Sequence, residues 1–224
     1  MYAGTRNVYP DMVTAAKSLL LTTRVDRVVF LTEDDTFPEW LPKIIEVKNI
    51  SGQTWFDPAG PNYSCRWTYM TLIRLALPEI LPEEDRCLWL DVDTLCVQDI
   101  GDLFDMDLQG NTVAMAEEPT RSQNPFVYHN AGVCLMDLRQ MAGDRMRDMI
   151  RMINTRAFTA PDQDALNIRL QHEILTIPPV WNSSNWTKSV WDARIVHFAG
   201  DRAYTTRSQW HEWQAKNWEG EQCQ

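Results

Sequence analysis

Apolar residues along this chain fall into short continuous runs, separated by stretches in which they recur every three or four positions. Short runs bounded by polar or turn residues predict buried strands, and the wider spacing predicts amphipathic helices. Tyr2-Ala3-Gly4-Thr5 reads as the end of a first strand, and further strands are expected over 27–32, 44–47, 86–90, 112–117, 131–137, 174–177 and 194–198. Helices are expected over 11–21, 68–80, 139–155, 162–171 and 207–218. Pro10 suits the first turn of the earliest helix, where its missing N–H has no partner to lose. Pro78 is expected to bend or end the second. No linker, low-complexity segment or internal repeat interrupts the alternation. It predicts an α/β protein, a single domain over 1–224 with a mostly parallel central sheet flanked by helices.

Composition narrows the partners. A chain of 224 residues buries a sizeable core. The net charge of −10, with no cluster of Lys and Arg, argues against a nucleic-acid partner. No apolar run approaches the length of a membrane span, and the amino terminus has no signal-peptide pattern. The carboxyl end is rich in Trp but acidic, unlike a basic membrane-surface helix. Cys65, Cys87, Cys96, Cys134 and Cys223 are scattered and odd in number. Three of them sit in apolar runs, which favours buried thiols in a reducing cytoplasm.

The candidate chemistry begins in Arg86-Cys-Leu-Trp-Leu-Asp-Val-Asp-Thr-Leu-Cys-Val97. An apolar strand breaks into Asp91-Val92-Asp93, and residues two apart in extended chain face the same way. At the carboxyl end of a sheet strand, where α/β proteins bind ligands, two adjacent anions repel unless a cation lies between them. A hard divalent ion with oxygen ligands, Mg²⁺ or Mn²⁺, fits. Taken alone, Asp-x-Asp is more often a solvated turn. His197, ending the run Arg194-Ile-Val-His-Phe198 just before Ala199-Gly200, can complete a metal site, although a lone strand histidine is more often a core residue. Gly200 allows backbone to approach a phosphate. Asn130-Ala131-Gly132 reads as a small-residue turn, and Pro161-Asp162-Gln163-Asp164 as a helix start favoured by the macrodipole.

Together and in this order, Asp91-Val-Asp93, Asn130-Ala-Gly-Val-Cys-Leu-Met-Asp-Leu138, Asp162-Gln-Asp-Ala-Leu-Asn167 and His197-Phe-Ala-Gly200 resemble glycosyltransferase family eight, the family of glycogenin and the bacterial lipopolysaccharide galactosyltransferases. Ala3-Gly-Thr-Arg-Asn-Val-Tyr9 is similar to its uridine-binding loop, and Arg74-Leu75 lies where the family keeps a basic residue for the sugar nucleotide. The likeness covers roughly residues 1–200. It implies a GT-A fold and a metal-dependent, anomer-retaining transfer of a hexose from a UDP-sugar, with residues 1–100 mainly nucleotide-binding and 101–224 serving donor sugar and acceptor.

Carried over residue by residue, the resemblance implies that Asp91, Asp93 and His197 hold Mn²⁺, or Mg²⁺, against the diphosphate. Ala3, Thr5, Asn7 and Tyr9 hold uracil and ribose, Tyr9 by stacking, and Asp91 with Val92 reaches the ribose. Asn130, Ala131 and Gly132 line the donor sugar, Asp162 and Gln163 sit beside the anomeric carbon, and Arg74 with Gly200 serves the phosphates. One departure stands out. The family's lysine after His-x-x-Gly is here Ala203, and Arg202 is the substitute one residue away, since a guanidinium suits phosphate.

Two other classes compete. A non-catalytic UDP-sugar-binding protein would explain the lost lysine. A haloacid-dehalogenase-like phosphatase shares an Asp-x-Asp opening, but Gly200-Asp201 is followed by no second carboxylate. The acceptor, whether carbohydrate, protein or small molecule, is unassigned, as is the oligomeric state. The polar loops at 62–67 and 119–129 are the acceptor candidates, because loops over a rigid sheet carry specificity. Trp181, Trp186 and Trp191 offer aromatic faces, whereas Trp210 and Trp213, three apart on one helix, are expected to pack.

Overall fold

The computed structural model describes residues 1–37, 41–64, 67–123 and 125–218. In chain order its strands are β1 (Tyr2–Gly4), β2 (Val28–Thr32), β3 (Ile45–Asn49), β4 (Arg86–Leu90), β5 (Thr94–Cys96), β6 (Val113–Glu117), β7 (His129–Asp137), β8 (Ile174–Ile177) and β9 (Ile195–His197). The α-helices are α1 (Tyr9–Thr22), α2 (Leu77–Ile80), α3 (Gly101–Phe104), α4 (Leu138–Met141), α5 (Asp144–Thr155), α6 (Pro161–Arg169) and α7 (Ser208–Ala215). The chain divides into two units of interleaved stretches. One comprises Met1–Ser51, Leu90–Met106 and Pro178–Gln224, the other Gly52–Trp89 and Asp107–Ile177.

The first unit is built on the parallel sheet β1-β2-β3. β2 lies in its middle and is buried along its whole length, which is why Val-Val-Phe-Leu-Thr shows no polar alternation. α1 makes the crossover from β1 to β2, with Pro10 in its first turn. Its polar side chains then hold the next segment. Ser18 Oγ accepts the Cys96 N–H at 2.9 Å, and Thr23 Oγ1 accepts the Ile100 N–H at 2.9 Å. These bonds fix β5, which pairs antiparallel with β9. α7 ends at Ala215, short of the expected 218. At its carboxyl end the Lys17 ammonium donates to the carbonyls of Gln214 at 3.0 Å and Lys216 at 2.7 Å.

The second unit carries the sheet β4-β7-β6-β8. β6 is parallel to β8 but antiparallel to β7, because a loop over 118–128, rather than a crossover helix, returns the chain. The β6–β7 ladder is irregular. Met115 pairs with Cys134 but Ala116 pairs with Asn130, so Ala131, Gly132 and Val133 bulge from the register. The single helix expected over 139–155 is two. Gly143, at φ 73° and ψ −126°, occupies backbone space closed to other residues and separates α4 from α5. The segment expected as a helix over 68–80 begins as a 3₁₀ helix, Tyr69–Ala76, before α2. There the buried Arg74 side chain takes the Thr71 carbonyl at 3.1 Å.

Cys87, Cys96 and Cys134 are free and buried. Burial pushes the Cys96 thiol up to about 12. Cys65 and Cys223 lie outside the described residues. Among the described residues no helix is long and apolar enough to cross a membrane.

Candidate active site

The chemistry of the first unit gathers where the turn after β4 meets the end of β9. Thr94 folds back so that its N–H, at 3.2 Å, and its hydroxyl, at 2.7 Å, both reach the Asp91 carbonyl. The β5–β9 register sets Thr94 opposite His197, and the Phe198 N–H bonds the Asp93 carbonyl at 3.0 Å. His197 Nε2 therefore lies 3.3 Å from Asp93 Oδ1 and 3.9 Å from Asp91 Oδ2. The three ligand atoms lie within 4.8 Å of one another.

His197 is 4% exposed, and its Nδ1 is 2.8 Å from Asn182 Oδ1. An amide oxygen only accepts, so Nδ1 donates to Asn182, and Nε2 is the ring nitrogen turned toward the two carboxylates. Two carboxylate oxygens and an imidazole nitrogen form a donor set suited to a divalent metal ion. The sequence reading missed Asn182, which stands fifteen positions from His197 in a polar loop with no motif of its own.

Other predicted residues of this unit surround two loops. Ala3 is the middle residue of β1, beside Leu31. The Thr5 hydroxyl donates to Asn7 Oδ1, with Thr5 half-buried and Asn7 exposed. Tyr9 is only 5% exposed. Its ring lies 4.6 Å from that of Phe37, its hydroxyl donates to Asp34 Oδ1 at 3.2 Å, and the Glu33 N–H donates to that hydroxyl at 3.1 Å. The Arg6 N–H reaches Glu33 Oε1 at 2.7 Å. Glu33 and Asp34, following β2, thus join the loop after β1. Val92 is half-buried in the turn between the two aspartates.

Gly200 has φ 74°, and a Cβ there would stand 2.8 Å from Trp186 Nε1, which donates to the Ala199 carbonyl at 2.6 Å. Only glycine fits both the dihedral and the indole. Next to it, Arg207 pairs with Asp201 at 2.8 Å, and the Ala203 N–H donates to Asp201 at 3.0 Å. That N–H first, and the guanidinium second, hold the Asp201 carboxyl below the usual range. Arg202 is exposed.

In the second unit the bulge of β7 faces the start of α6. Gln163 Oε1 accepts the Ala131 N–H at 2.9 Å, and Asn130 Oδ1 accepts the Gly132 N–H at 3.1 Å. The bulge exposes both N–H groups by taking them out of the ladder. Gln163 Nε2 and Asn130 Nδ2 then donate to Glu118 Oε2 at 3.1 and 3.2 Å. Asn167 bonds both backbone groups of His129, at 2.7 and 2.8 Å, fixing α6 to β7.

Asp162 forms a buried ion pair with Arg74 at 3.0 Å, and Arg74 also donates to the Ala131 carbonyl and lies 4.5 Å from the Trp89 ring centre. Arg74 is 1% exposed. Asp164 accepts from Arg121 at 2.7 Å, from the Tyr128 hydroxyl, and from the N–H groups of Thr159 at 3.1 Å and Ala160 at 2.9 Å. In the candidate acceptor loops, Asn62 is buried and donates to the carbonyls of Ile153 and Arg156 at 2.6 Å each, while Tyr63 stacks on Tyr69 at 4.8 Å. Residues 65, 66 and 124 of those loops lie outside the described residues. Trp191 is 97% exposed, whereas Trp210 and Trp213 are buried as expected.

The α/β architecture is a GT-A fold, and in it the Asp-x-Asp turn and the strand-end histidine form a candidate metal site. The profile of Glycosyl transferase family 8 matches residues 2–203, and the chain belongs to that family. It is 26% identical over 157 residues to the lipopolysaccharide 1,2-glucosyltransferase of Escherichia coli K12, covering 58% of this chain and 45% of that protein. It is 24% identical over 194 residues to glycosyltransferase GlyE of Streptococcus pneumoniae serotype 4, covering 81% and 47%. The chain spans about half the length of the curated relatives it matches. Among solved structures, the galactosyltransferase LgtC in complex with donor and acceptor sugar analogues superposes with a TM-score of 0.76 at 19% identity, covering 95% of this chain and 94% of the other. Family membership leaves the phosphatase alternative without support.

Proposed function

We propose that this chain transfers a hexose from a UDP-sugar to a carbohydrate, protein or small-molecule acceptor, with retention of anomeric configuration and with Mn²⁺ as its metal. The observation that carries the reading is the orientation of His197, whose Nδ1 is occupied by Asn182 so that Nε2 faces Asp91 and Asp93. Bound by these three residues, Mn²⁺ or Mg²⁺ supplies the positive charge that offsets the charge developing on departing UDP.

The remaining work falls to the chain itself. Ala3, Thr5 and Asn7 hold uracil and ribose, with Asp91 and Val92 at the ribose. Tyr9, with its ring against Phe37, fits a role in positioning Glu33 and Asp34 better than one in stacking. The Gly200 backbone and Arg202 meet the diphosphate. Asn130, Ala131 and Gly132 line the sugar. Gln163 and Asp162 stand beside the anomeric carbon, and Arg74 positions Asp162 rather than touching phosphate. The Gln163 amide has no titratable acceptor at neutral pH and orients the sugar instead of moving a proton. Buried free thiols fit a cytoplasmic setting.

Titration of UDP by calorimetry tests the metal assignment. Binding is expected with Mn²⁺ and lost with chelator, and Asp93→Asn, which removes a charge and keeps the shape, is expected to reproduce the loss. Full metal-independent binding in that variant refutes it. Ala203 in the place of the family lysine favours a second reading, a UDP-sugar-binding protein without turnover. UDP release from a panel of UDP-sugars separates the two.

A further inference from the structure

Three carboxylates of the second unit are more than nine-tenths buried around the start of β7 and α6: Glu118, Asp162 and Asp164. Two are accounted for. Asp162 is paired with the buried Arg74, and both oxygens of Asp164 accept hydrogen bonds, from four donors in all. Glu118 differs. Its Oε2 takes both amide N–H groups, from Asn130 and Gln163, while its Oε1 is buried with no hydrogen-bond partner among the described residues. Glu118 itself is 1% exposed. A buried carboxylate oxygen without a donor is costly, and the carbonyl oxygens of Asn130 and Gln163, being acceptors, cannot supply one.

We infer that Glu118 Oε1 accepts a hydroxyl hydrogen of the transferred hexose, making Glu118 the specificity-determining residue of the donor-sugar site. The inference rests on the donor reading proposed above. A hydroxyl is the donor that fits, since O–H···O⁻ bonds are short and strong, whereas a phosphate or carboxylate of the ligand would be repelled. The same carboxylate sets the two amides that line the site. By holding Nε2 of Gln163 and Nδ2 of Asn130, it turns their oxygens onto the N–H groups of the β7 bulge. One side chain therefore both sets the two amides and reads the sugar.

The test uses calorimetry with saturating Mn²⁺ and no acceptor, with UDP, UDP-glucose, UDP-galactose and the 2-, 3-, 4- and 6-deoxy forms of the hexose that binds. Glu118→Gln keeps the shape and an oxygen for the two amides but presents N–H where Oε1 stood. It is expected to bind UDP as the wild type does and the UDP-hexose about ten- to a hundred-fold more weakly, the range of one charge-assisted hydrogen bond. One deoxy donor is expected to show the same loss on the wild type and no further loss on Glu118→Gln. If that variant melts early, Glu118→Asp keeps the charge, withdraws the oxygen and is expected to show the same loss. Unchanged UDP-hexose affinity in a folded variant, or additive losses for every deoxy donor, overturns the inference while UDP binding still supports the donor reading. Failure of the wild type to bind UDP overturns both.

Discussion

At His197 the position of one proton decides whether the site can take a metal. The Asn182 oxygen holds a proton on Nδ1, so that it is Nε2, once neutral, whose lone pair would serve a metal between the aspartates. Asn182→Ala removes the acceptor and frees both tautomers. Mn²⁺ affinity is expected to fall about ten- to a hundred-fold with the melting temperature little changed, as read by metal titration. Asn182→Asp, which still accepts, is expected to restore most of it, and unchanged affinity in Asn182→Ala would remove Asn182 from the metal centre. Residues of this kind mark the limit of the sequence. Asp91, Asp93 and His197 are legible because their chemistry is specific and their order recurs in a family. Asn182 and Glu118 are not, because their importance comes from which atom of a neighbour they bond. Glu118 in particular reads only as the residue after an apolar strand.

At the scale of elements, periodicity finds most strands and helices but misses what interrupts them. β4 spans the expected 86–90, and β8 the expected 174–177. β5 is invisible, because its three residues merge into the apolar run that the Asp pair divides. The β7 bulge is likewise unmarked, although Asn130-Ala131-Gly132 points to the right residues. The break at Gly143 is legible only through the glycine, since Met and Ile keep helical spacing on both sides of it. A Cβ at Gly143 would meet nothing within 4 Å, so only its backbone conformation, at φ 73°, resists substitution. Gly143→Ala is expected to destabilise the protein by about 1–3 kcal/mol in urea denaturation without altering UDP affinity. A neutral result would mean that α4 and α5 merge into the single helix their spacing suggests.

Across the whole molecule, the candidate metal ligands belong to the first unit and the candidate sugar-lining residues to the second, though the chain weaves each unit from separate stretches. That interleaving cannot be read from a linear alternation of strands and helices, because spacing says nothing about which distant stretches pack together. Overall stability against pH is expected to follow two groups of opposite sign, one in each unit. In the second, His129 is buried, with Nε2 2.8 Å from Thr176 Oγ1 and Nδ1 without a hydrogen-bond partner among the described residues. Burial holds its imidazole below the ordinary value of 6.5. Above pH 6.5 both folded and unfolded chains are neutral there, and its contribution to stability is fully present. As pH falls through 6.5 the unfolded chain takes up a proton that the folded chain refuses, so stability falls by up to about 1.4 kcal/mol per pH unit until the lowered folded value is reached. In the first unit, burial raises the Asp11 carboxyl above 3.8, against the opposing bond donated by the Tyr204 hydroxyl at 2.6 Å. Its contribution is fully present below 3.8 and is lost as pH rises through the raised folded value, so it partly offsets the His129 loss only in more acidic solution. Urea denaturation between pH 7.5 and 5.5 is expected to show a decline beginning near 6.5 in the wild type, and a shallower one in His129→Gln. Parallel declines in the two proteins would assign the acid sensitivity to other groups.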